Sequence, residues 1–139
     1  CYAGQLNQVF MNILSNALDA LEERESQGSA ASHKTPSVIR ITTQQQDKNH
    51  ISICIADNGA GMSEKVQQRI FDPFFTTKPI GKGTGMGMSI SYQIVTDKHQ
   101  GSLRCQSVPG EGTSFWIEIP IKQTHQKSNT EDRQRDAHL

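Results

Sequence analysis

Cysteine is scarce in this chain, which has three, at positions 1, 54 and 105, with no CxxC spacing. An odd number without that spacing argues against a disulfide framework or a zinc knuckle and fits a reducing compartment. No apolar run approaches the roughly 20 residues of a membrane-spanning helix, and no signal-like segment opens the chain. The expected location is cytoplasmic, with no direct membrane insertion by this segment, even if a longer parent protein is membrane-anchored. Net charge is missing too. Fourteen Lys plus Arg balance fourteen Asp plus Glu, so no global field draws in a polyanion, and nucleic acid is not an expected partner. Any anion site has to be local. Hydrophobic residues make up 34% of the 139, enough for one domain with a modest core and polar loops or tails.

Glycine, by contrast, is concentrated. It stands at 81, 83, 85 and 87, with Lys78 and Lys82 close by and an apolar, helix-spaced run following. Each glycine costs about 0.5 to 1 kcal/mol of extra backbone entropy in a regular element. Bare backbone there serves one of two ends: a phosphate chain lying against amide N–H groups at a helix start, or a flexible surface loop.

Leu6, Val9, Phe10, Ile13, Leu14, Ala17, Leu18 and Leu21 recur at three and four residues, predicting an amphipathic helix over 4–24. Asn12 and Asn16 stand outside that pattern, four apart on one flank. They either perform a polar task or sit on a solvated face. Residues 26–37 are rich in Ser, Ala, Gly and Pro and read as a loop. Strands are predicted over 38–46 and 50–57, and the alternation puts Asp57 on the face of Ile51, Ile53 and Ile55. Asp57 then either meets a partner, since an unpaired carboxylate is costly on an apolar face, or serves the Asn58–Gly59 turn. A short helix capped by Ser63 is predicted over 65–71 and a longer one over 85–98, ending at His99, Gln100 and Gly101. Two more strands follow, over 102–108 with Leu103 and Cys105 inward and over 113–121 with Trp116 on the opposite face. The folded domain is thus expected over 1–121, with 122–139 a polar, disordered tail.

Three familiar glycine-rich patterns do not fit. A P-loop needs Gly at 76 and Ser or Thr at 83, where Thr and Gly stand. A dinucleotide fingerprint needs a strand leading straight into the glycines, and a protein-kinase glycine loop needs one following them. The order of motifs does fit one family. NILSNALDA (12–20), DNGAGM (57–62), FDPFFTTK (71–78), GKGTGMGMSI (81–90) and GEGTSF (110–115) resemble the N box, first glycine box, F box and later glycine boxes of the catalytic ATP-binding domain of two-component sensor histidine kinases. That family belongs to the superfamily of gyrase, chaperone and mismatch-repair ATPases. The FTTK form of the F box, with NALDA, resembles the nitrogen-regulation type.

The resemblance implies a two-layer α/β sandwich, a mixed but mainly antiparallel sheet covered on one face by helices, with ATP and Mg²⁺ between the layers. It implies that Asp57 accepts from the adenine 6-amino group, that Gly59 and Gly61 let the backbone close on the ring, and that Thr113 supports the pocket. Asn16 would offer oxygen to Mg²⁺, with Asn12 assisting. Gly83, Thr84, Gly85, Met86 and Gly87 would bring backbone amides to the phosphates, and Lys78 or Lys82 would add charge from a lid over 71–82. The hydrolysing branches carry Glu where this chain has Asn12, which is no base at neutral pH. The implied activity is therefore that of a protein-histidine kinase, positioning the γ-phosphate for transfer with little hydrolysis. The acceptor is a histidine on a separate dimerisation domain, which then serves a response regulator. None of the five histidines here has the acidic neighbour that marks the family's acceptor, so the chain is expected to be a catalytic module alone. It departs from many relatives at Asp19 and Ala20, where they place Lys and an aromatic residue. The competing readings are a nucleotide-sensing module without transfer and a serine kinase or ATPase of the same superfamily.

Overall fold

The computed structural model describes residues 2–27, 35–76 and 87–121. The first helix, α1, spans Ala3–Ser26 and buries Val9, Ile13, Ala17 and Leu21, one residue per turn. Leu18 was expected in that stripe but is 60% exposed. It lies on a flank that no other described element covers, and Ile41 on the first strand is also exposed.

Four strands follow: β1 (Ile39–Gln45), β2 (His50–Asp57), β3 (Ser102–Val108) and β4 (Gly112–Pro120). They form one sheet in the order β1-β2-β4-β3, and every pairing is antiparallel. The register sets rows across it. Ile53, Ile117 and Leu103 form one row, Ile55, Phe115 and Cys105 the next, and Asp57, Thr113 and Ser107 the last. The first two rows meet Val9, Ile13, Met88, Ile94 and Val95 in the core. Asp57 therefore ends an apolar face on the helix side, as the alternation predicts. Cys54, Trp116 and Arg104 share the opposite face, where the Arg104 guanidinium stands 5.7 Å from the indole centroid.

The second helix, α2 (Glu64–Gln67), is capped by Ser63, whose Oγ accepts from Val66 N at 3.3 Å. It stops before the predicted end at 71. The chain continues in three-residue turns, with Arg69 N on Val66 O and Asp72 N on Arg69 O, both at 3.0 Å. Pro73, which has no N–H and disfavours helical backbone at Asp72, keeps the helix from resuming beyond these turns, but the end at Gln67 lies before its reach. Phe74 follows with φ of 63° and a side chain 74% exposed. Phe75 lies under the Arg69 guanidinium, and Phe71 packs on Tyr92 and Phe115. The first residue of the expected lid thus belongs to the core.

The third helix, α3, is described from Gly87 to Gln93 and widens into a π-helical turn over Ile94–Lys98, where His99 N donates to Ile94 O five residues back. Gln100 takes the left-handed exit, with φ of 50°. Gly101 serves a different need, because a Cβ there would overlap the Glu118 carbonyl oxygen. His99 is fully buried. Its Nδ1 lies 3.0 Å from Ile94 O and so donates to that carbonyl, while Nε2 accepts from Tyr2 N at 3.3 Å.

Candidate functional site

Asp57 closes β2 with its carboxylate partly buried, and burial pushes its pKa above the ordinary carboxylate range. Backbone N–H groups partly offset this. Gly59 N donates to Oδ1 at 2.8 Å, and Thr113 N–H also favours the charged form. Among the described residues no basic side chain pairs with it. The partner expected from sequence is therefore main chain, and Asp57 shapes the turn as well. Its charge, added to burial, pushes the Cys105 thiol up to about 12.

The loop after Asp57 is held from every side. Ala60 N donates to Ala20 O of α1 at 3.0 Å, and Gly110 N donates to Ala60 O at 2.7 Å. Met62 N donates to Ser107 Oγ at 2.7 Å. That hydroxyl lies 2.9 Å from Gly112 O and 2.8 Å from Thr113 Oγ1. Since a hydroxyl has one proton, Ser107 gives it to Gly112 O and accepts from Thr113 and Met62. Asn58 binds the strand approach, with Val38 N on Oδ1 and Nδ2 on Pro36 O. Arg24 of α1 reaches Asn58 O at 3.1 Å and Thr35 O at 2.6 Å.

The glycines of this loop have packing reasons of their own. A Cβ on Gly59 would strike the backbone of Ala20, and one on Gly61, at φ of 72°, would overlap the Val108 carbonyl oxygen. Gly87 differs. A Cβ there would make ordinary contact with the Asn12 carboxamide, at 3.7 to 3.9 Å. Asn12 Nδ2 donates to Gly87 O and to Ser91 Oγ, each at 3.0 Å, which seats α3 against α1, and Oδ1 has no partner among the described residues. Asn16 is partly buried one turn on, with no hydrogen bond to its side chain among the described residues.

Of the predicted site residues, Asp57, Gly59 and Thr113 are thus joined in one network, with Gly61 packed in the same loop, and Asn12 and Gly87 are joined in another. Lys78, Lys82, Gly83, Thr84, Gly85 and Met86 lie outside the described residues. Sequence reasoning missed Ser107, Gln67 and Ser91. Ser107 had a signal, since it shares the inward parity of Leu103 and Cys105 and a polar group there needs a partner.

For a metal, carboxamide oxygens at 12 and 16 are hard donors, the type that Mg²⁺ takes in small number while keeping waters and phosphate. No group of three His, Cys, Asp or Glu among the described residues offers a softer or more acidic alternative. The donor set fits Mg²⁺ held mainly by a nucleotide. No helix of the described residues is long and apolar enough to cross a membrane.

Comparison with known proteins agrees with this fold. Relatives include sporulation kinase E of Bacillus subtilis (strain 168), 36% identical over 136 residues, covering 98% of this chain and 16% of that protein. Another is the signal transduction histidine-protein kinase AtoS of Escherichia coli (strain K12), 41% identical over 116 residues, covering 84% and 17%. The chain thus spans about a sixth of the length of the curated relatives it matches. Among solved structures, the nucleotide-free catalytic domain of histidine kinase ThkA superposes with a TM-score of 0.66 at 28% identity, covering 86% of this chain and 68% of that one. The mycobacterial sensor histidine kinase MprB gives 0.67 at 26%, covering 86% and 72%. Residues 2–123 match the model of the histidine kinase-, DNA gyrase B- and HSP90-like ATPases, and the chain belongs to that family.

Proposed function

We propose that this domain binds Mg-ATP and positions the γ-phosphate for transfer to a histidine on a separate dimerisation domain, which in turn serves a response regulator. The observation that carries the reading is a row on α1. Ala20 holds the loop beside Asp57 through its carbonyl, and Asn12 holds the start of α3 through its amide. Asn16 stands midway between them. Residues four apart share a helix face, and eight residues of helix rise about 12 Å. One helix therefore spaces a base-binding end from a phosphate-binding end.

At the base end, the partly desolvated Asp57 carboxylate would accept from the adenine 6-amino group, and the guanine oxo group would meet it as a second acceptor. At the other end Asn16, with the Asn12 oxygen, would hold Mg²⁺, which when bound neutralises charge on the phosphates. Asn12 orients but does not deprotonate, so bound water lacks a base from this position. Phosphoryl transfer needs alignment and electrostatic support more than covalent chemistry, and this is what fixed amides and carboxamides supply.

The test is to follow labelled ATP incubated with this domain and a histidine-containing dimerisation domain from a sensor kinase. Acid-labile phosphate on histidine is the expected product. Acid-stable phosphoserine would replace the reading by a serine kinase, rapid phosphate release by the unmutated chain would replace it by an ATPase, and tight binding without transfer would leave a nucleotide sensor.

A further inference from the structure

Gln67 lies outside every motif named above, yet its carboxamide makes three hydrogen bonds. Nε2 donates to Ser107 O at 2.7 Å and to Met62 O at 3.2 Å, and Oε1 accepts from Ser107 N at 3.0 Å. Among the described residues β3 is the edge of the sheet, so the N–H and C=O of Ser107 face away from β4 and would otherwise go unpaired within it. Gln67 takes both, as a further strand would. Both of its amide protons and its oxygen are used, so the contact has one orientation.

The consequence lies on the other side of Ser107. Its backbone is fixed by Gln67, and its hydroxyl receives Met62 N and Thr113 Oγ1. Thr113 is the cross-strand partner of Asp57 and shares with Gly59 the solvation of its carboxylate. Gln67 thus holds Met62 twice, directly at its carbonyl and through Ser107 at its amide, and fixes the far end of the loop whose near end is Asp57.

We infer that Gln67 is a positioning residue for base selection: from α2 it sets the loop of Asp57 to Met62 at the spacing that lets Asp57 discriminate the substituent at C6 of a purine. The inference rests on the nucleotide reading given above. It assigns Gln67 no contact with nucleotide.

The test compares ATP with inosine triphosphate, which carries an oxo group at C6 and with it a proton on N1, by displacement of a fluorescent ADP analogue from the whole chain. Gln67→Met removes all three bonds at similar size, and Gln67→Glu keeps the shape but loses both donations. Each is expected to weaken ATP about tenfold, the scale of one lost buried hydrogen bond, while inosine triphosphate changes little, so that the selectivity ratio collapses. Amide hydrogen exchange should quicken at Met62 and stay unchanged at Ile117 in the core. Equal weakening of both nucleotides, or an unchanged ratio, overturns the inference and leaves the nucleotide reading standing. Failure of the unmutated chain to bind ATP overturns both. Should Gln67→Met not fold, Gln67→Glu decides; should neither fold, Gln67 holds the fold rather than the selectivity and the inference is wrong.

Discussion

The glycines of the loop at 57–62 and Gly87 look alike on paper and differ in three dimensions. In the loop the protein itself demands the glycines, because Gly59 abuts α1 and Gly61 passes under the end of β3 in a left-handed conformation. Among the described residues Gly87 meets nothing that a methyl group would displace. If glycine is needed at 87, no described neighbour supplies the reason, and a bound ligand is the candidate. A glycine-rich motif therefore mixes residues kept for packing with residues kept for binding, and only the neighbours of the missing Cβ tell them apart.

Substitution can break that comparison. Gly61→Ala should have the largest effect on the fold. Left-handed backbone costs roughly 1–2 kcal/mol for a residue with a Cβ, and forcing an atom into an occupied space costs roughly 1–3 kcal/mol more. Urea denaturation without nucleotide should show that loss, and an unchanged midpoint would mean the loop opens freely and the packing account is wrong.

Asp57→Asn sharpens the base end. Loss of a charge-assisted hydrogen bond, worth about 1.5–3 kcal/mol, predicts that ATP affinity falls at least tenfold. Stability without nucleotide moves the other way. Because burial raises the folded-state pKa above the ordinary value of 3.8, the folded chain holds this proton more tightly than the unfolded chain. The stabilisation it brings is complete below about that value and is lost as pH rises through the folded pKa. At pH 7 the native domain carries the cost of a desolvated carboxylate, and the Asn variant does not. The variant should melt higher than the native domain at pH 7, with the gap closing on acidification. A gap that widens in acid would contradict the burial argument.

Asn12→Ala removes the two bonds that seat α3 on α1 and should cost about 1–2 kcal/mol of stability, read by thermal melting. Gly87→Ala should have the smallest effect on the fold and the most informative one. Alanine is favoured over glycine in helix by up to about 1 kcal/mol, less at a first turn, so stability should hold or rise slightly while ATP affinity drops. Retained affinity would show that Gly87 is kept for neither reason.

Much of the layout was legible because alternation and helical spacing report burial directly. The strands and α1 fall within a residue or two of the predicted bounds, and Asp57 lands on the helix side because its parity matches that of Ile51, Ile53 and Ile55. What escaped depends on contacts distant in sequence. Leu18 fits the apolar spacing, but the spacing does not say how far the sheet extends beneath a helix. The early end of α2 and the π-helical turn before His99 were signalled by nothing in the pattern. Gln67 acts forty residues away on Ser107, through a side chain ordinary for a surface helix. Trp116 faces away from the layer that holds Asp57 and the asparagines, which favours a fluorescent nucleotide as the probe.

The buried imidazole of His99 links two distant points of the chain. Tyr2 N bonds to one ring nitrogen, and the other nitrogen bonds to the last turn of the helix that begins at Gly87. In mechanical terms the domain has a handle. A pull or twist on the backbone at Tyr2 loads α3 from its far end through His99, while the same motion of α1 loads its near end through Asn12. A displacement at residue 2 would therefore reach α3 by two contacts, through His99 at one end and through Asn12 at Gly87.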